Sequence, residues 1–351
     1  VLVPADRPTL DSVAAAARVS RMTVSNAYNR PDQLSPATRQ RVLEVAARLG
    51  YAGPDPTAAS LRLRRTGTIG VVLTERLPYA FADPGLITIL HGIATELSAA
   101  GSALLLVPAQ AADGESLLRH AMVDALILCS LAADDPAVAA AQDRKVPIVT
   151  VGNPRLPGAP RIGPNNRRAA GLVGAHLAAL GHRRCAVVTT VTDARRGPAR
   201  PLFHERVAGV RAALVAGGVD PSRIEVICAS DNSRDSGHRA VGELLARPRR
   251  RRPSAVFAVT DILALGVLDA AVEAGLDVPQ DLSVAGFDDI AGAASSTPPL
   301  STVAHDLFGQ GRAAARLALR LIAGETVRAP RTRTELVIRS STARVRRPAR
   351  R

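Results

Sequence analysis

The sequence predicts two folds on one chain: a short all-α module at the N-terminus, then a long α/β region built on parallel sheets. Three observations carry this. Residues 9–50 hold three runs of helical periodicity, each behind a capping residue and separated by short turns. From residue 68 onward, short apolar runs with β-branched residues alternate with amphipathic stretches. The positive charge is uneven. The 351 residues carry a net +14, of which +5 lies in residues 1–67, +5 in 247–252 and +5 in 344–351, leaving −1 for the remainder.

The first helix is expected at about 10–17, capped by Thr9, with Leu10, Val13, Ala14 and Ala17 at helical spacing. Arg18 and Val19 form a short turn. Ser20 caps a second helix at about 21–29, which carries Met22, Val24 and Tyr28. A loop through Pro31, Asp32 and Gln33 leads to Ser35 and Pro36, a good cap followed by a good first helical residue. The third helix, at about 36–49, places Val42, Val45, Ala46 and Leu49 on one face. Two short helices joined by a tight turn and closed by a third make a helix-turn-helix module. A generic three-helix bundle is the alternative; the coincidence of caps, tight turn and polar face favours the former.

In such a module the start of the second helix meets base edges in the major groove. Arg21, Met22 and, one turn later, Asn26 are the base-reading candidates. Arginine bonds guanine bidentately, asparagine bonds adenine, and methionine offers an apolar contact to a thymine methyl. Thr23, Ser25, Asn29 and Thr38 are short polar residues suited to phosphate contacts, which orient a protein without reading sequence.

Beyond this module, strands are expected at 68–74, 103–107, 125–128, 146–151, 186–191, 224–228, 255–259 and 282–286. Helical segments are expected near 85–100, 166–180, 204–216, 235–246 and 261–275. About 280 residues favour two lobes over one sheet. Ligands in such folds bind beyond the carboxyl ends of the strands.

Other classes are disfavoured. Cys129, Cys185 and Cys228 form no CxxC pair and cannot all pair with one another. The N-terminus lacks an apolar signal core of about 7–15 residues. The longest charge-free stretches, 97–112 and 290–305, are too short and too broken to span a bilayer. A reduced, soluble, cytoplasmic protein without a membrane partner is expected. There is no nucleophile elbow, P-loop, HExxH or dinucleotide fingerprint, so neither an enzyme nor a cofactor or metal is expected. The charge asymmetry suggests an anionic partner for one end of the chain. Lys145 is the only lysine, so the two arginine clusters also read as coding bias, the first on a surface loop and the second on a tail.

A family resemblance joins these readings. Thr9-Leu10-Asp11-Ser12-Val13-Ala14, Val19-Ser20, Thr23-Val24-Ser25, Tyr28-Asn29, Ser35, Thr38-Arg39, Arg41-Val42 and Leu49-Gly50-Tyr51 carry it. Together they resemble the DNA-binding domain of the lactose-repressor/galactose-repressor (LacI/GalR) family. Members usually carry glycine in the turn, where this chain has Arg18; a left-handed residue there costs arginine about 1–2 kcal/mol. The resemblance implies a hinge helix after Asp55 and Pro56, folded when paired across a homodimer on DNA. Leu61 would wedge into the minor groove with Arg62 beside it; a plain linker is the alternative, and the resemblance favours the wedge.

The resemblance continues through Leu180-Gly181-His182, Arg206 with Gly209, Thr260-Asp261 with Ala264-Leu265-Gly266, Gly286-Phe287-Asp288-Asp289, Pro298-Pro299-Leu300-Ser301-Thr302-Val303 and residues 335–342. It implies a two-lobed core of the periplasmic-binding-protein-like type, with parallel sheets flanked by helices. The implied bounds are 1–53 for the helix-turn-helix domain, 54–67 for the hinge, 68–343 for the core and 344–351 for a basic tail. Lobe one takes about 68–167 with 305–331, and lobe two about 168–304 with 332–343.

The implied effector contacts are Arg206 as a clamp and Asp288 as an acceptor of sugar hydroxyls. Thr260 stands where asparagine is usual, and His305 where glutamine is common. Asn165, the loop residues Tyr79, Phe81 and Asp83, and Phe203 complete the set. Carboxylate, guanidinium and amide groups beside an aromatic face suit a polyhydroxylated sugar. The function so implied is a homodimeric regulator, by default a repressor, on a near-palindromic double-stranded operator under small-molecule control. A solute-binding protein of a transport system would share the core but would not carry residues 9–62.

Overall fold

The computed structural model describes residues 8–53, 65–74, 76–109, 114–190 and 201–345. The chain divides into two compact units, Val1–Thr66 and Gly67–Arg351.

The first unit holds α1 (Leu10–Ala17), α2 (Arg21–Asn29) and α3 (Pro36–Leu49). Thr9 and Ser12 form a reciprocal capping box: the Thr9 hydroxyl accepts from the Ser12 amide at 3.2 Å, and the Ser12 hydroxyl from the Thr9 amide at 2.9 Å. Ser20 and Ser35 cap α2 and α3 by accepting from the amides of Thr23 and Thr38. Val13, Ala17, Val24, Ala27, Val42, Val45 and Ala46 form the core. Tyr28 meets Tyr51 edge to face, with ring centroids 6.0 Å apart.

Arg18 ends α1 with φ 51° and ψ 50°, so the turn does require a left-handed residue. Its amide and that of Val19 close the helix on Ala15 and Ala14. Arg18→Gly relieves the Cβ clash, less the entropy that glycine loses on folding. It should stabilise this unit by about 1 kcal/mol, read by urea unfolding; a loss of stability would show that the arginine side chain contributes more than its strain.

The second unit opens with β1 (Thr68–Leu73), α4 (Leu77–Ala80), α5 (Pro84–Ala99), β2 (Ala103–Pro108), α6 (Gly114–His120), β3 (Ala125–Cys129) and α7 (Pro136–Asp143). It continues through β4 (Ile148–Val151), β5 (Arg161–Ile162), α8 (Asn166–Ala179), β6 (Cys185–Thr190), α9 (Pro201–Ala216), β7 (Ile224–Ala229) and α10 (Arg234–Leu245). The last elements are β8 (Ala255–Ala258), α11 (Asp261–Glu273), β9 (Ser283–Ala285), α12 (Ala291–Ser295), β10 (Thr302–Ala304), α13 (Leu307–Ile322) and β11 (Glu335–Val337).

Two parallel sheets result, ordered β2-β1-β3-β4-β5 and β7-β6-β8-β9, with an antiparallel β10-β11 ribbon apart. The inner strands β3, β6 and β8 are buried along their whole length, which explains their continuous apolar runs. The chain builds the first sheet, then the second, and returns with α13 to pack on α5 over the first. Charge follows the same return: Arg312 and Arg316 both reach Glu96, at 3.1 and 2.9 Å. The arginine run at 247–252 forms turns between α10 and β8, where Arg247 pairs bidentately with Glu225.

Candidate functional site

A cleft open to solvent lies at the carboxyl ends of strands from both sheets. Leu73 and Thr74 after β1, Cys129 and Ser130 at β3, and Val151 and Gly152 at β4 form one wall. Asn166, Phe203, Arg206, Asn232, Thr260 and Asp288 form the other. His305 and Gln310, where the chain crosses back, lie between them.

Arg206 projects from α9 and is buried. Its Nε donates to Asn166 Oδ1 at 3.0 Å, and one terminal nitrogen donates to the Val259 carbonyl at 2.6 Å and to Asp288 Oδ1 at 3.0 Å. The guanidinium lies 3.7 Å from the centre of the Phe287 ring, a fully buried platform. Burial pushes the Arg206 pKa below its usual range, and the Asp288 carboxylate opposes that shift. Arginine nevertheless stays charged in proteins.

Asp288 also receives His305 Nε2 at 3.1 Å, and the other ring nitrogen of His305 meets Gln310 at 2.7 Å. A hydrogen-bonded chain therefore runs from Arg206 through Asp288 and His305 to Gln310. The turn holding it is strained. Asp288 and Asp289 sit at φ 117° and 53°, left-handed values that disfavour both residues. Arg339 secures the second of them through a 2.7 Å ion pair with Asp289.

A second relay crosses the cleft. The Tyr79 hydroxyl donates to Asp83 Oδ2 at 2.8 Å. The Asn232 amide donates to the Tyr79 oxygen at 2.9 Å and to Asp83 Oδ2 at 3.2 Å. The Thr260 hydroxyl donates to Asn232 Oδ1 at 2.5 Å.

Of the effector residues expected from sequence, Tyr79, Asp83, Phe203, Arg206, Thr260, Asp288 and His305 line this cleft. Two do not. Phe81 is 67% exposed and lies off the lining, so the aromatic surface is Tyr79 with Phe203. Asn165 is spent as the cap of α8, accepting from the Arg168 amide at 3.0 Å, and it is Asn166 that faces Arg206. Asn232 and Gln310 were not expected. The loop after β7 is a carboxyl-end loop like those that were read, and that rule would have found Asn232.

Asp261 lies buried behind the cleft. Its carboxylate accepts from the Thr302 hydroxyl at 2.5 Å and the Ile290 amide at 3.0 Å. Burial, then the nearby Asp288 charge, pushes its pKa from 3.8 up to about 7. A raised carboxyl pKa stabilises the folded state fully below the unfolded value and loses that contribution as pH rises through the folded value. Urea midpoints should therefore fall between about pH 4 and pH 7, and Asp261→Asn should flatten that fall. An equal slope in both proteins would exclude Asp261 as its source.

In the first unit, Arg21 and Met22 are both exposed at the start of α2. Arg21 pairs with Asp11 at 2.9 Å. Asn26 is half-buried and donates to Gln33 at 3.2 Å. Thr23 and Thr38 are half-buried, each bonded to the serine cap of its own helix. Asn29 is exposed and reaches Ser25 at 3.4 Å. Ser25 itself is buried on the inner side of α2, which corrects its expected place on a phosphate-facing surface. Leu61 and Arg62 lie outside the described residues.

Comparison with known proteins agrees with this architecture. Residues 9–53 match the bacterial regulatory proteins of the lacI family, and residues 175–342 match the periplasmic binding protein-like domain. The HTH-type transcriptional regulator Rv3575c of Mycobacterium tuberculosis is 38% identical over 334 residues, covering 90% of this chain and 92% of the relative. A complex of the transcriptional regulator CelR with cellobiose superposes with a TM-score of 0.67 at 33% identity, covering 95% of this chain and all of the other. The lac repressor dimer bound to operator and the anti-inducer ONPF superposes with a TM-score of 0.76 at 26% identity, covering 96% of this chain and all of that one. The helix-turn-helix unit, the two parallel sheets and the polar cleft thus share one origin: this chain belongs to the LacI family of bacterial transcriptional regulators.

Proposed function

We propose that the protein is a homodimeric repressor that binds a near-palindromic operator and changes its DNA affinity when a sugar or sugar derivative occupies the cleft. One observation carries the reading. The Arg206–Asp288–His305–Gln310 chain is a hydrogen-bonded polar network facing a solvent-open cleft, on a chain whose other unit presents Arg21 and Met22 from a capped second helix. A ligand that pairs with these groups favours one arrangement of the lobes and shifts the population between two states.

The lac repressor dimer bound to operator and CelR bound to cellobiose support the two halves of this reading. Arg21, Met22 and Asn26 would read bases, and Thr23, Asn29 and Thr38 would contact phosphates. Leu61 and Arg62 would enter the minor groove at the operator centre. Selection from random double-stranded DNA should return one near-palindromic site bound by two copies. Its affinity should fall about 10³-fold or more between 50 and 200 mM salt, as counterions return to the phosphates. Enrichment of no site, or of asymmetric sites bound by one copy, would exclude the homodimeric reading.

A further inference from the structure

Resting on the reading of the cleft as an effector site, we propose that it takes an uncharged polyhydroxylated ligand and rejects phosphate and carboxylate derivatives, with Asp83 setting that choice. The formal charges on the described lining are Arg206, Asp83 and Asp288. Arg206 is already committed: Asp288 lies 3.0 Å from one terminal nitrogen, and Asn166 and the Val259 carbonyl take further donors. To an incoming ligand this is a neutral pair. Among the described lining residues Asp83 then adds one negative charge beyond that pair, within electrostatic reach of the same Arg206.

Asp83 is held in place by neutral groups. The Tyr79 hydroxyl and Asn232 amide donate to one carboxylate oxygen, and Asn232 is fixed in turn by Thr260. The other oxygen caps α5 through the amides of Gly85 and Leu86, at 2.9 and 3.2 Å. That cap also closes an alternative anion site. A free helix N-terminus would attract a phosphate, but α5 is occupied by Asp83, α8 by Asn165, α11 by Thr260 and α13 by Asp306, while the cap position of α9 lies outside the described residues. A phosphate ester, carrying about −1.5 to −2 charges at pH 7, would face two carboxylates and, among the described lining residues, one guanidinium already paired with Asp288.

Hydroxyl groups meet the opposite conditions. Asp83 and Asp288 accept from them, Asn166, Asn232 and Gln310 offer amides, and Tyr79 and Phe203 supply an apolar face for a sugar ring. The second terminal nitrogen of Arg206 makes no hydrogen bond among the described residues and can donate to a ligand oxygen.

The test uses the full chain and matched probes. D-ribose with ribose 5-phosphate, D-glucose with glucose 6-phosphate and glucuronate, and cellobiose lead a panel of neutral mono- and disaccharides, polyols and their phosphate esters. Thermal shift selects binders, and calorimetry gives Kd. A neutral member should bind at least 100-fold more tightly than its phosphate ester. Asp83→Asn keeps a good helix cap and should narrow that gap to tenfold or less. A phosphate ester binding as tightly as its neutral parent overturns the proposal and assigns an anion site to arginines outside the described residues. An unchanged gap in Asp83→Asn overturns the role of Asp83. A panel with no binder of either kind defeats the effector-site reading itself, and the proposal falls with it.

Discussion

Arg206→Ala should abolish the ligand response and destabilise the second unit by about 3–5 kcal/mol, the cost of leaving a buried charge without its partner. The side chain is 6% exposed and joins α9 to Asn166 at the start of α8, to the Val259 carbonyl after β8, and to Asp288 beyond β9. Its removal strands Asp288 with His305 alone and uncovers the Phe287 ring. Two roles are thus combined in one residue, and a second variant separates them. Arg206→Met with Asp288→Asn removes both charges and keeps apolar bulk on Phe287, so most of the stability should return. The ligand response should not. Urea unfolding reads the first quantity and calorimetric titration the second. Recovery of ligand binding in the double variant would show that the ion pair serves only the fold.

Gly311→Val should destabilise the first lobe by more than about 3 kcal/mol, beyond the usual range for overpacking. Helices α5 and α13 cross at two glycines. A Cβ on Gly311 would lie 2.1 Å from the Ile89 carbonyl, and a Cβ on Gly92 would lie 2.1 Å from the Phe308 carbonyl. The obstacle in each case is backbone, which cannot rotate away, so the helices would have to separate and expose the apolar stripe between them. The other paired helices use the same device: Gly209 of α9 lies against Arg167, and Gly266 of α11 against Arg234. Gly242, in the middle of α10, is the control. Nothing lies within 4 Å of its would-be Cβ, and Gly242→Ala should stabilise by about 0.5–1 kcal/mol. If Gly311→Val unfolds at the same urea concentration as the parent, the close crossing is not a constraint on the fold.

Sequence patterning caught the strands better than the last long helix. The strands that were read, such as β3 and β6, are continuous apolar runs bounded by turns, and they fall within a few residues of their expected places. Helix α13 spans sixteen residues, yet no helix was expected there. Its buried residues, Leu307, Gln310, Gly311, Ala314, Ala315, Leu317 and Ala318, recur at helical spacing behind the Asp306 cap, so the pattern was legible there and was not read. Short β5, with two residues at a sheet edge, has too few positions for any period.

The candidate site divides in the same way. Arg206 and Asp288 lie in motifs whose spacing marks them, and both face the cleft. Asn165 and Asn166 are adjacent, and only the observed cap separates the residue that starts the helix from the one that meets Arg206. Phe81 follows α4, where one residue of register decides between the cleft and solvent. Ser25 was read as polar and therefore outward, but it lies on the same face of α2 as Val24 and Ala27.

The central claim is that the cleft and the DNA-reading helix are coupled through one chain. Fluorescence anisotropy on the selected operator, with and without a saturating ligand identified by calorimetry, measures that coupling directly. The account predicts at least a tenfold change in operator Kd in the parent protein and none in the Arg206→Met, Asp288→Asn variant at equal folded fraction. A ligand that occupies the cleft while leaving the operator Kd of the parent protein unchanged would contradict it.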